Sequence, residues 1–334
     1  MTAPPGLLCL DRDAIRACAA EVDLCAVVEH VLRRHAEGRV TLPAESYLPW
    51  TNSEGAACRC LAMPGAVEND DGPATFGLKL INAATSNPAH GHERATGVAF
   101  LFDPETARPR LLAEAGWLSA ARTAAYTMVS LTHLGPRHWD AMTLVGCGAL
   151  ARAHIEFAAR AFPRATHLHL HDLARPRAEA LADWTHRHHP RLTPHVHDDP
   201  RDAVRAATVL VLTTTSDRGY LPAAWPLPGT FIAHVSLDDL LPEVFHTAQG
   251  LFVDDVGLVT DNPRRVLGGL IRDGEITPDG TLGQVLTGRV PAIRPTTGHV
   301  VSNPFGMAIL DVGLLDALHH IARAKGHGHE IGLL

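Results

Sequence analysis

Residues 141–151 read Ala-Met-Thr-Leu-Val-Gly-Cys-Gly-Ala-Leu-Ala, a short apolar run that is closed by two glycines. The apolar run predicts a buried strand, and the residues that follow the glycines have a helical pattern. Gly146 would permit a tight turn, Gly148 would let the backbone approach a pyrophosphate, and Ala151 would let helix and strand pack closely. The N-terminus of a helix at this place also supplies partial positive charge. The stretch therefore predicts a dinucleotide-binding turn of the Rossmann type.

Asp172 ends the next predicted strand, about two dozen residues after Gly148. An acid near this spacing hydrogen-bonds the ribose 2′-hydroxyl of the cofactor, and its charge would repel a 2′-phosphate. The sequence therefore predicts NAD rather than NADP. Arg175 and Arg177 leave NADP open, because arginines just past this acid can accommodate the phosphate.

The second half of the chain alternates between short apolar runs and helical patterns. Such alternation favours a parallel, doubly wound sheet. We assign residues 126–305 to this NAD-binding domain. Its predicted strands are 141–145, 166–170, 208–212, 230–235 and 250–253, and its predicted helices are 149–161, 175–186 and 200–206.

The first half shows strands in succession without intervening helices, which is typical of an antiparallel or mixed sheet. A last helix, 306–324, has no predicted strand after it and is expected to return to the first domain. The predicted fold is α/β, with a Rossmann domain and a discontinuous α+β domain of residues 1–125 and 306–334. The other predicted elements are helices 24–35 and 118–134 and strands 57–63, 76–82, 97–102 and 110–115.

Composition argues against several kinds of partner. The formal charge of −7 disfavours a surface that neutralises nucleic-acid phosphates. No apolar run reaches the roughly 20 residues that cross a bilayer, and no signal peptide is evident, so no membrane association is expected. Six cysteines without a paired framework predict free thiols and a cytoplasmic protein.

Six of the 22 histidines of the chain lie in two short runs. Residues 167–171, His-Leu-His-Leu-His, are interpreted as a solvent-facing strand edge, and residues 186–189, His-Arg-His-His, as a polar helix end. Metal ligands must converge on one point, and neither interpretation gives that convergence. No metal site is predicted.

Several segments, in their order along the chain, resemble the ornithine cyclodeaminase/μ-crystallin family. They are Phe76-Gly-Leu-Lys79, Glu93-Arg94-Ala-Thr96-Gly, Asp103-Pro-Glu-Thr106, Leu118-Ser-Ala-Ala-Arg122-Thr-Ala-Ala125 and Val145-Gly-Cys-Gly148. The resemblance covers nearly the whole chain. It implies a cofactor domain in second position, where the glycine turn lies, and a first domain that carries substrate residues and the interface of a homodimer.

Further segments resemble a subgroup of this family that cleaves N-(2-amino-2-carboxyethyl)-L-glutamate oxidatively. They are Arg59-Cys-Leu-Ala-Met-Pro64, Asn87-Pro88 with Glu93-Arg94-Ala-Thr-Gly97, and Ser302-Asn303-Pro-Phe-Gly306-Met-Ala-Ile. This resemblance implies a small anionic amino acid as substrate and 2,3-diaminopropionate as a product, for siderophore or peptide-antibiotic biosynthesis. Three alternatives stay open: an ornithine or lysine cyclodeaminase, another amino-acid or imine dehydrogenase, and a nucleotide-binding protein without catalysis.

Isolated cations in apolar strands are the candidate substrate residues. Arg59 lies between two cysteines and would face the side opposite both thiols, and Lys79 is the one charge in Phe-Gly-Leu-Lys-Leu-Ile. A buried charge needs a partner, either an internal acid or a substrate carboxylate, although Lys79 could also reach solvent from a strand end. The family resemblance implies substrate binding, adds Arg94 and Arg122, and gives Lys79 the task of polarising the reacting centre.

The resemblance also implies acid–base and cofactor residues. It places a catalytic aspartate after predicted strand 230–235, where Asp238 and Asp239 are both candidates because this loop departs from the glycine-rich cyclodeaminase pattern. A second aspartate nearby would raise the pKa of the first, and a solvated turn is the alternative interpretation of the pair. The candidate cofactor residues are Thr96, Arg122, Thr123, Gly146, Gly148, Ala149, Leu150, Asp172, Thr213, Thr215 and Ser236.

Overall fold

A computed structural model of the protein describes residues 6–236, 238–262 and 265–332. The chain divides into two units, of which the first is Met1–Arg122 with Met307–Leu334 and the second is Thr123–Gly306. These boundaries lie close to the predicted domain limits at 125/126 and 305/306. No helix of the described residues combines the length and the hydropathy needed to cross a membrane.

Strands and helices are numbered separately along the described chain. The strands are β1 (Leu7–Leu10), β2 (Val40–Thr41), β3 (Ser46–Thr51), β4 (Ala57–Val67), β5 (Thr75–Ala84), β6 (Ala95–Phe102), β7 (Pro109–Glu114), β8 (Ala141–Val145), β9 (His167–His171), β10 (Thr193–Val196), β11 (Val209–Leu212), β12 (Phe231–His234), β13 (Gly250–Val253), β14 (Gly280–Thr281), β15 (Val300–Asn303) and β16 (His329–Ile331). The helices are α1 (Arg12–Ala19), α2 (Leu24–Ala36), α3 (Ala115–Leu134), α4 (Ala149–Ala161), α5 (Arg175–His188), α6 (Pro200–Val204), α7 (Pro242–His246), α8 (Val256–Thr260), α9 (Val266–Arg272), α10 (Leu282–Leu286) and α11 (Ala308–Lys325).

The first unit is built on a mixed sheet in the order β16-β1-β7-β6-β5-β4-β2, with β3 also paired to β4. Strands β4 to β7 pair antiparallel, whereas β1 pairs parallel with β7, so the predicted mixed sheet is confirmed. The last helix does return to this unit. The expectation that no strand follows it was wrong, because β16 pairs antiparallel with β1. A strand of three residues is too short to show a periodic pattern.

Helix α11 packs directly against the sheet of the first unit. A Cβ at Gly77 of β5 would lie 2.8 Å from the side chain of Val312 and from the carbonyl oxygen of Phe100. Glycine is therefore required there for the helix to approach the strand. Most of α11 is buried and apolar, so its one buried acid, Asp311, lies in an apolar surrounding.

The second unit is a parallel sheet in the order β10-β9-β8-β11-β12-β15-β13-β14. All residues of β11, β12, β13 and β15 are buried, as expected for strands that helices cover on both faces. The order reverses between β8 and β11, which is the switch point at which such folds bind nucleotides. The predicted doubly wound Rossmann sheet is confirmed. The short strands β10, β14 and β15 were not predicted.

Candidate functional site

The turn after β8 has the geometry that the glycine pattern requires. Gly146 has a φ of +91°, and a Cβ there would lie 2.8 Å from the carbonyl group of Thr213 and from the amide nitrogen of Thr214. The amide of Gly146 donates to the carbonyl oxygen of His171 at 2.8 Å, which joins the ends of β8 and β9. The positive φ and the close backbone together admit only glycine.

Gly148, the residue before the first turn of α4, faces open space. No side chain caps this 13-residue helix at Gly148, and a Cβ added at Gly148 would meet nothing within 4 Å. Ala149 is exposed, Leu150 is half-buried and Ala151 is fully buried. The uncapped amides and the helix dipole favour an anion at this end. The pyrophosphate of a dinucleotide therefore fits this turn.

Asp172 lies at the end of β9, as predicted, and is held by two backbone amides. Its carboxylate accepts from the amide of Cys147 at 2.8 Å and from the amide of Ala174 at 2.9 Å. Arg175 pairs with the carboxylates of Asp198 and Glu179 and is therefore engaged by the protein's own acids. This arrangement fits a ribose with a free 2′-hydroxyl, and so NAD, better than a 2′-phosphate.

Two of the predicted cofactor hydroxyls are used within the second unit itself. Thr213 is buried and donates to the carbonyl oxygen of Gly146 at 2.7 Å, and Ser236 donates to the carboxylate of Asp239. Thr215 is exposed, whereas Thr123 is buried in α3. Thr213 therefore stabilises the glycine turn, which is a role that the sequence pattern did not reveal.

Asp239 is fully buried and its carboxylate is saturated with donors. It accepts from the hydroxyls of Thr214 at 2.6 Å, Tyr220 at 2.9 Å and Ser236. Burial raises the pKa of Asp239, but its interactions with His234, Ser236 and Thr214 outweigh burial and leave the pKa below its usual value. Asp239 is thus a weakly basic carboxylate, and the rise in pKa expected from a neighbouring aspartate does not occur there.

Asp238 has a different environment, although it is directly next to Asp239 in the sequence. Its carboxylate pairs with the guanidinium of Arg265, whose side chain is 27% exposed. Asp238 itself is 6% exposed. With one cationic partner instead of three hydroxyl donors, Asp238 keeps more acceptor capacity than Asp239 does.

Lys79 is the most buried cation that the sequence singled out. Its side chain is 1% exposed, and its Nζ donates to Oδ2 of Asp311 at 2.6 Å and to Oγ of Ser119 at 3.4 Å. Burial lowers the pKa of Lys79 to about 8, an effect that the charge of Arg122 strengthens and that of Asp311 opposes. Lys79 therefore does not reach solvent from a strand end, which was the alternative interpretation of this residue.

Arg122 lies in α3 and reaches the same carboxylate. Its Nε is 3.5 Å from Oδ1 of Asp311, and the residue is 8% exposed. The buried cations were expected to pair with either an internal acid or a substrate carboxylate. The first explanation holds in part, because the one carboxylate of Asp311 pairs with both Lys79 and Arg122. Asp311 was not predicted. A single acid in the apolar run Ala-Ile-Leu-Asp-Val-Gly-Leu-Leu was the signal that could have found it.

Arg59 lies on the same face of the first sheet as Lys79. The register pairs Arg59 with Ala83 and Met63 with Lys79, and paired residues of antiparallel strands share a face. Arg59 therefore points away from the face of its two neighbouring cysteines, as the alternation predicted. Arg94 is half-buried just before β6, and burial together with the charge of Arg59 lowers its pKa.

Thr96 lies apart from these cations. It is exposed and pairs with Asn82 of β5, which puts it on the face of the sheet opposite to Lys79. The structure thus brings Arg59, Lys79 and Arg122 to the side of the sheet that faces α11, and leaves Thr96 on the other side.

The histidine runs lie in β9 and at the end of α5. Among the described residues, no group of three or more histidine, cysteine or acidic side chains could hold a metal ion. Strand β9 lies between β8 and β10, so the interpretation of residues 167–171 as a strand edge was wrong. Nδ1 of His169 lies 2.9 Å from Nε2 of His197, and burial together with nearby histidines lowers the pKa of His169 to about 4. Residues 186–189 do lie at the end of α5.

The model of the ornithine cyclodeaminase/mu-crystallin family matches residues 10–326. N-((2S)-2-amino-2-carboxyethyl)-L-glutamate dehydrogenase of Staphylococcus aureus (strain NCTC 8325 / PS 47) is 27% identical over 335 residues, which cover 98% of each chain.

Solved structures show the same fold. The crystal structure of CmnK is 56% identical, with a TM-score of 0.96 and coverage of 99% of each chain. An archaeal alanine dehydrogenase dimer with bound NAD is 23% identical, with a TM-score of 0.83 and coverage of 98% of this chain and 99% of that one. The second likeness concerns the fold alone.

Proposed function

Because the chain belongs to the ornithine cyclodeaminase/mu-crystallin family, we propose that it is an NAD-dependent oxidoreductase that cleaves a C–N bond of N-(2-amino-2-carboxyethyl)-L-glutamate. The products are L-2,3-diaminopropionate and 2-oxoglutarate, and the reaction would supply the diamino acid for a siderophore or a peptide antibiotic. The family and the Rossmann fold predicted from the sequence are confirmed by the family match and the solved relatives.

The observation that carries this proposal is the cation cluster of the first unit. Lys79 and Arg122 are both buried beside one carboxylate, that of Asp311, and half-buried Arg59 lies on the same sheet face. Two cations against one acid leave positive charge that an anionic substrate can neutralise. The proposed substrate carries three carboxylates, which suits such a cluster together with Arg94.

The chain's own residues would bind and orient the substrate. The cations hold its carboxylates, with arginine suited to bidentate contacts and Lys79 to the carboxylate next to the reacting carbon. Such fixation converts binding energy into orientation of the reacting C–H and N–H bonds. When bound, NAD accepts the hydride from the α-carbon of the glutamate moiety.

The proton of the secondary amine and the later water need a base. We assign this role to Asp238, because the carboxylate of Asp239 already accepts three hydroxyl hydrogen bonds and has a lowered pKa. Loss of hydride and proton gives an imine of the substrate. Addition of water and C–N cleavage then give an amine and a ketone, so that one NAD is reduced for each substrate cleaved.

The test is to incubate the pure protein with NAD and the proposed substrate, and to follow NADH by absorbance and the products by mass spectrometry. Equal amounts of NADH, 2-oxoglutarate and 2,3-diaminopropionate are expected. Ornithine and lysine are run in parallel, because a cyclodeaminase would release ammonia without net NADH. Alanine serves to detect a simple amino-acid dehydrogenase, and binding of NAD without turnover of any amino acid would contradict the proposal.

We also propose that the protein is a homodimer through the first unit. The sheet face opposite Lys79 carries exposed apolar side chains, among them Leu48 (64% exposed), Trp50 (47%), Phe76 (42%) and Val98 (37%). Several large exposed apolar side chains on one sheet face are typical of a protein interface, and two identical faces can pair about a two-fold axis. Light scattering during gel filtration should give twice the chain mass, and Phe76→Asp should give the monomer.

A further inference from the structure

Helix α11 brings a carboxylate to the two buried cations from a distant part of the chain. Asp311 is 0% exposed, its Oδ2 accepts from Nζ of Lys79 at 2.6 Å, and its Oδ1 lies 3.5 Å from Nε of Arg122. Lys79 comes from β5 and Arg122 from α3, so three separate elements meet at this carboxylate. A buried acid with two cations is not explained by packing of α11, which is otherwise apolar at its buried positions up to Leu318.

The cluster is not internally satisfied. Among the described residues, neither Nε of Arg122 nor Oδ1 of Asp311 has a hydrogen-bond partner, although both atoms are buried. A buried guanidinium nitrogen without a partner is costly unless a ligand completes it. In the ion pairs of Lys79 and Arg122, the single carboxylate of Asp311 faces an ammonium and a guanidinium, so these three charges do not cancel. The unpartnered donor of Arg122 and the unequal numbers of cations and acids in these ion pairs indicate that the cluster is completed by an anion.

Lysine is rare in this chain, and one of its lysines is Lys79. The sequence contains only two lysines, Lys79 and Lys325, among 29 basic residues. Lysine differs from arginine in that its pKa shifts readily on burial. Burial lowers the pKa of Lys79 to about 8, Asp311 opposes this change and Arg122 adds to it, while Glu45 raises the pKa more weakly.

We propose that Asp311 is a positioning residue of the substrate site, which holds Lys79 and Arg122 together as one unit with a single excess positive charge that takes one carboxylate of the amino-acid substrate. This inference rests on the proposed function and deepens it. Asp311 fixes the ammonium and the guanidinium in place before the substrate arrives, and its charge keeps the ammonium protonated in the presence of Arg122.

Loss of the Asp311 charge should act through Lys79. The two cations would then repel each other without a shared anion, and the ammonium is the group that can lose its proton. Asp311→Asn should therefore lower the pH at which Lys79 deprotonates. A neutral Lys79 binds a carboxylate poorly, so the substrate KM should rise in the alkaline range and approach the wild-type value as the pH is lowered.

Because the chain has only two lysines, the deprotonation of Lys79 can be followed directly by NMR. With ¹³C-labelled lysine the protein gives two ε-carbon signals, and exposed Lys325 serves as the internal reference. Asp311→Asn should lower the Lys79 midpoint by about one pH unit or more. Asp316→Asn is the matched control, because Asp316 lies on the same helix but pairs with Arg110 at 3.0 Å. An unchanged Lys79 midpoint in folded Asp311→Asn would overturn the proposal.

A second titration covers the case in which Asp311→Asn does not fold. The wild-type protein is titrated with and without saturating L-glutamate, and the bound carboxylate should raise the Lys79 midpoint by about one unit. No change on addition of glutamate would contradict carboxylate binding at this cluster. Neither titration requires turnover, so failure of the proposed reaction and failure of this inference are distinguished.

Kinetics separate positioning from a structural role. At pH values above the Lys79 midpoint, the KM of Asp311→Asn should be roughly 10-fold higher than the wild-type KM. About two pH units lower, the difference in KM should be much smaller, and kcat should change little at either pH. A defect of equal size at every pH would mean that Asp311 only supports the fold, and would overturn the proposal.

Discussion

The glycine turn of the second unit and the Lys79 cluster of the first unit present positive charge in different ways. The turn uses backbone amides at an open helix end, where a Cβ at Gly148 would meet nothing within 4 Å. The cluster uses charged side chains that are almost fully buried and share Asp311. The comparison teaches that a backbone site is specified by adjacent residues, whereas a side-chain site depends on partners that folding supplies.

The largest effect is expected from removing the charge of the buried cluster. Lys79→Met should reduce kcat/KM by about 1,000-fold or more, because the substrate loses a fixed cation beside the reacting carbon. The affinity for NAD should not change, since the glycine turn is intact. Steady-state kinetics and an NAD titration check both statements. Lys325→Met is the control, and equal losses of activity in both variants would contradict the role of Lys79.

The two aspartates after β12 should respond differently to the same substitution. Asp238→Asn should lower kcat about 100-fold or more, since a general base contributes on this order. Asp239→Asn should instead lower the free energy of unfolding by about 1–3 kcal/mol, because the three hydroxyls that donate to its carboxylate lose an acceptor. Urea unfolding and turnover rates are measured for both variants. The reverse pattern would assign the base to Asp239.

The glycine turn should respond to substitutions position by position. Gly148→Val should weaken NAD binding by roughly 10- to 100-fold with little change in Tm, because the new side chain fills the space that a pyrophosphate needs. Gly146→Ala should lower Tm as well, since its Cβ would lie 2.8 Å from the Thr213 carbonyl group. Calorimetric NAD titration and thermal melts test this. Equal changes in NAD affinity and in Tm for the two variants would contradict the assignment of Gly146 to the fold and of Gly148 to cofactor binding.

The smallest expected effect is a pH dependence of stability from burial in the second unit. His154 is fully buried, and burial lowers its pKa from 6.5 to about 4. Between these values the unfolded chain binds a proton that the folded chain does not, so stability falls as the pH falls. The contribution is about 1.5 kcal/mol between pH 6.5 and about pH 5. Urea unfolding of wild type and His154→Gln at both pH values should show a smaller slope for the variant.

The sequence predicted the second unit better than the first. Strand β8, the glycine turn and α4 are consecutive in the sequence and Asp172 ends the next strand, so that backbone geometry and spacing predict their arrangement. The strands β10, β14 and β15 were missed because they lack the uninterrupted apolar run that marks the equally short β11 and read Thr-Pro-His-Val, Gly-Thr and Val-Val-Ser-Asn. In the first unit the isolated cations were found, but their arrangement on one sheet face required the register of β4 and β5.

The differences between Asp238 and Asp239 could not be predicted at all. Both lie in one loop with the same side chain, and only folding brings Thr214 and Tyr220 to Asp239 and Arg265 to Asp238. Local sequence sets the side-chain type, but the pKa and the free acceptor capacity depend on neighbours from other segments.

The amino-acid sequence was sufficient to predict the Rossmann architecture, the glycine turn and the family, because these depend on periodicity and on motifs of adjacent residues, and it also singled out Lys79 and Arg122 as candidate site residues. Only the tertiary structure decided that Lys79 and Arg122 share Asp311, which lies 232 positions after Lys79. The physical reason is that charge–charge interactions act through space and become strong on burial, so the partner of a buried charge is set by packing and not by spacing along the chain.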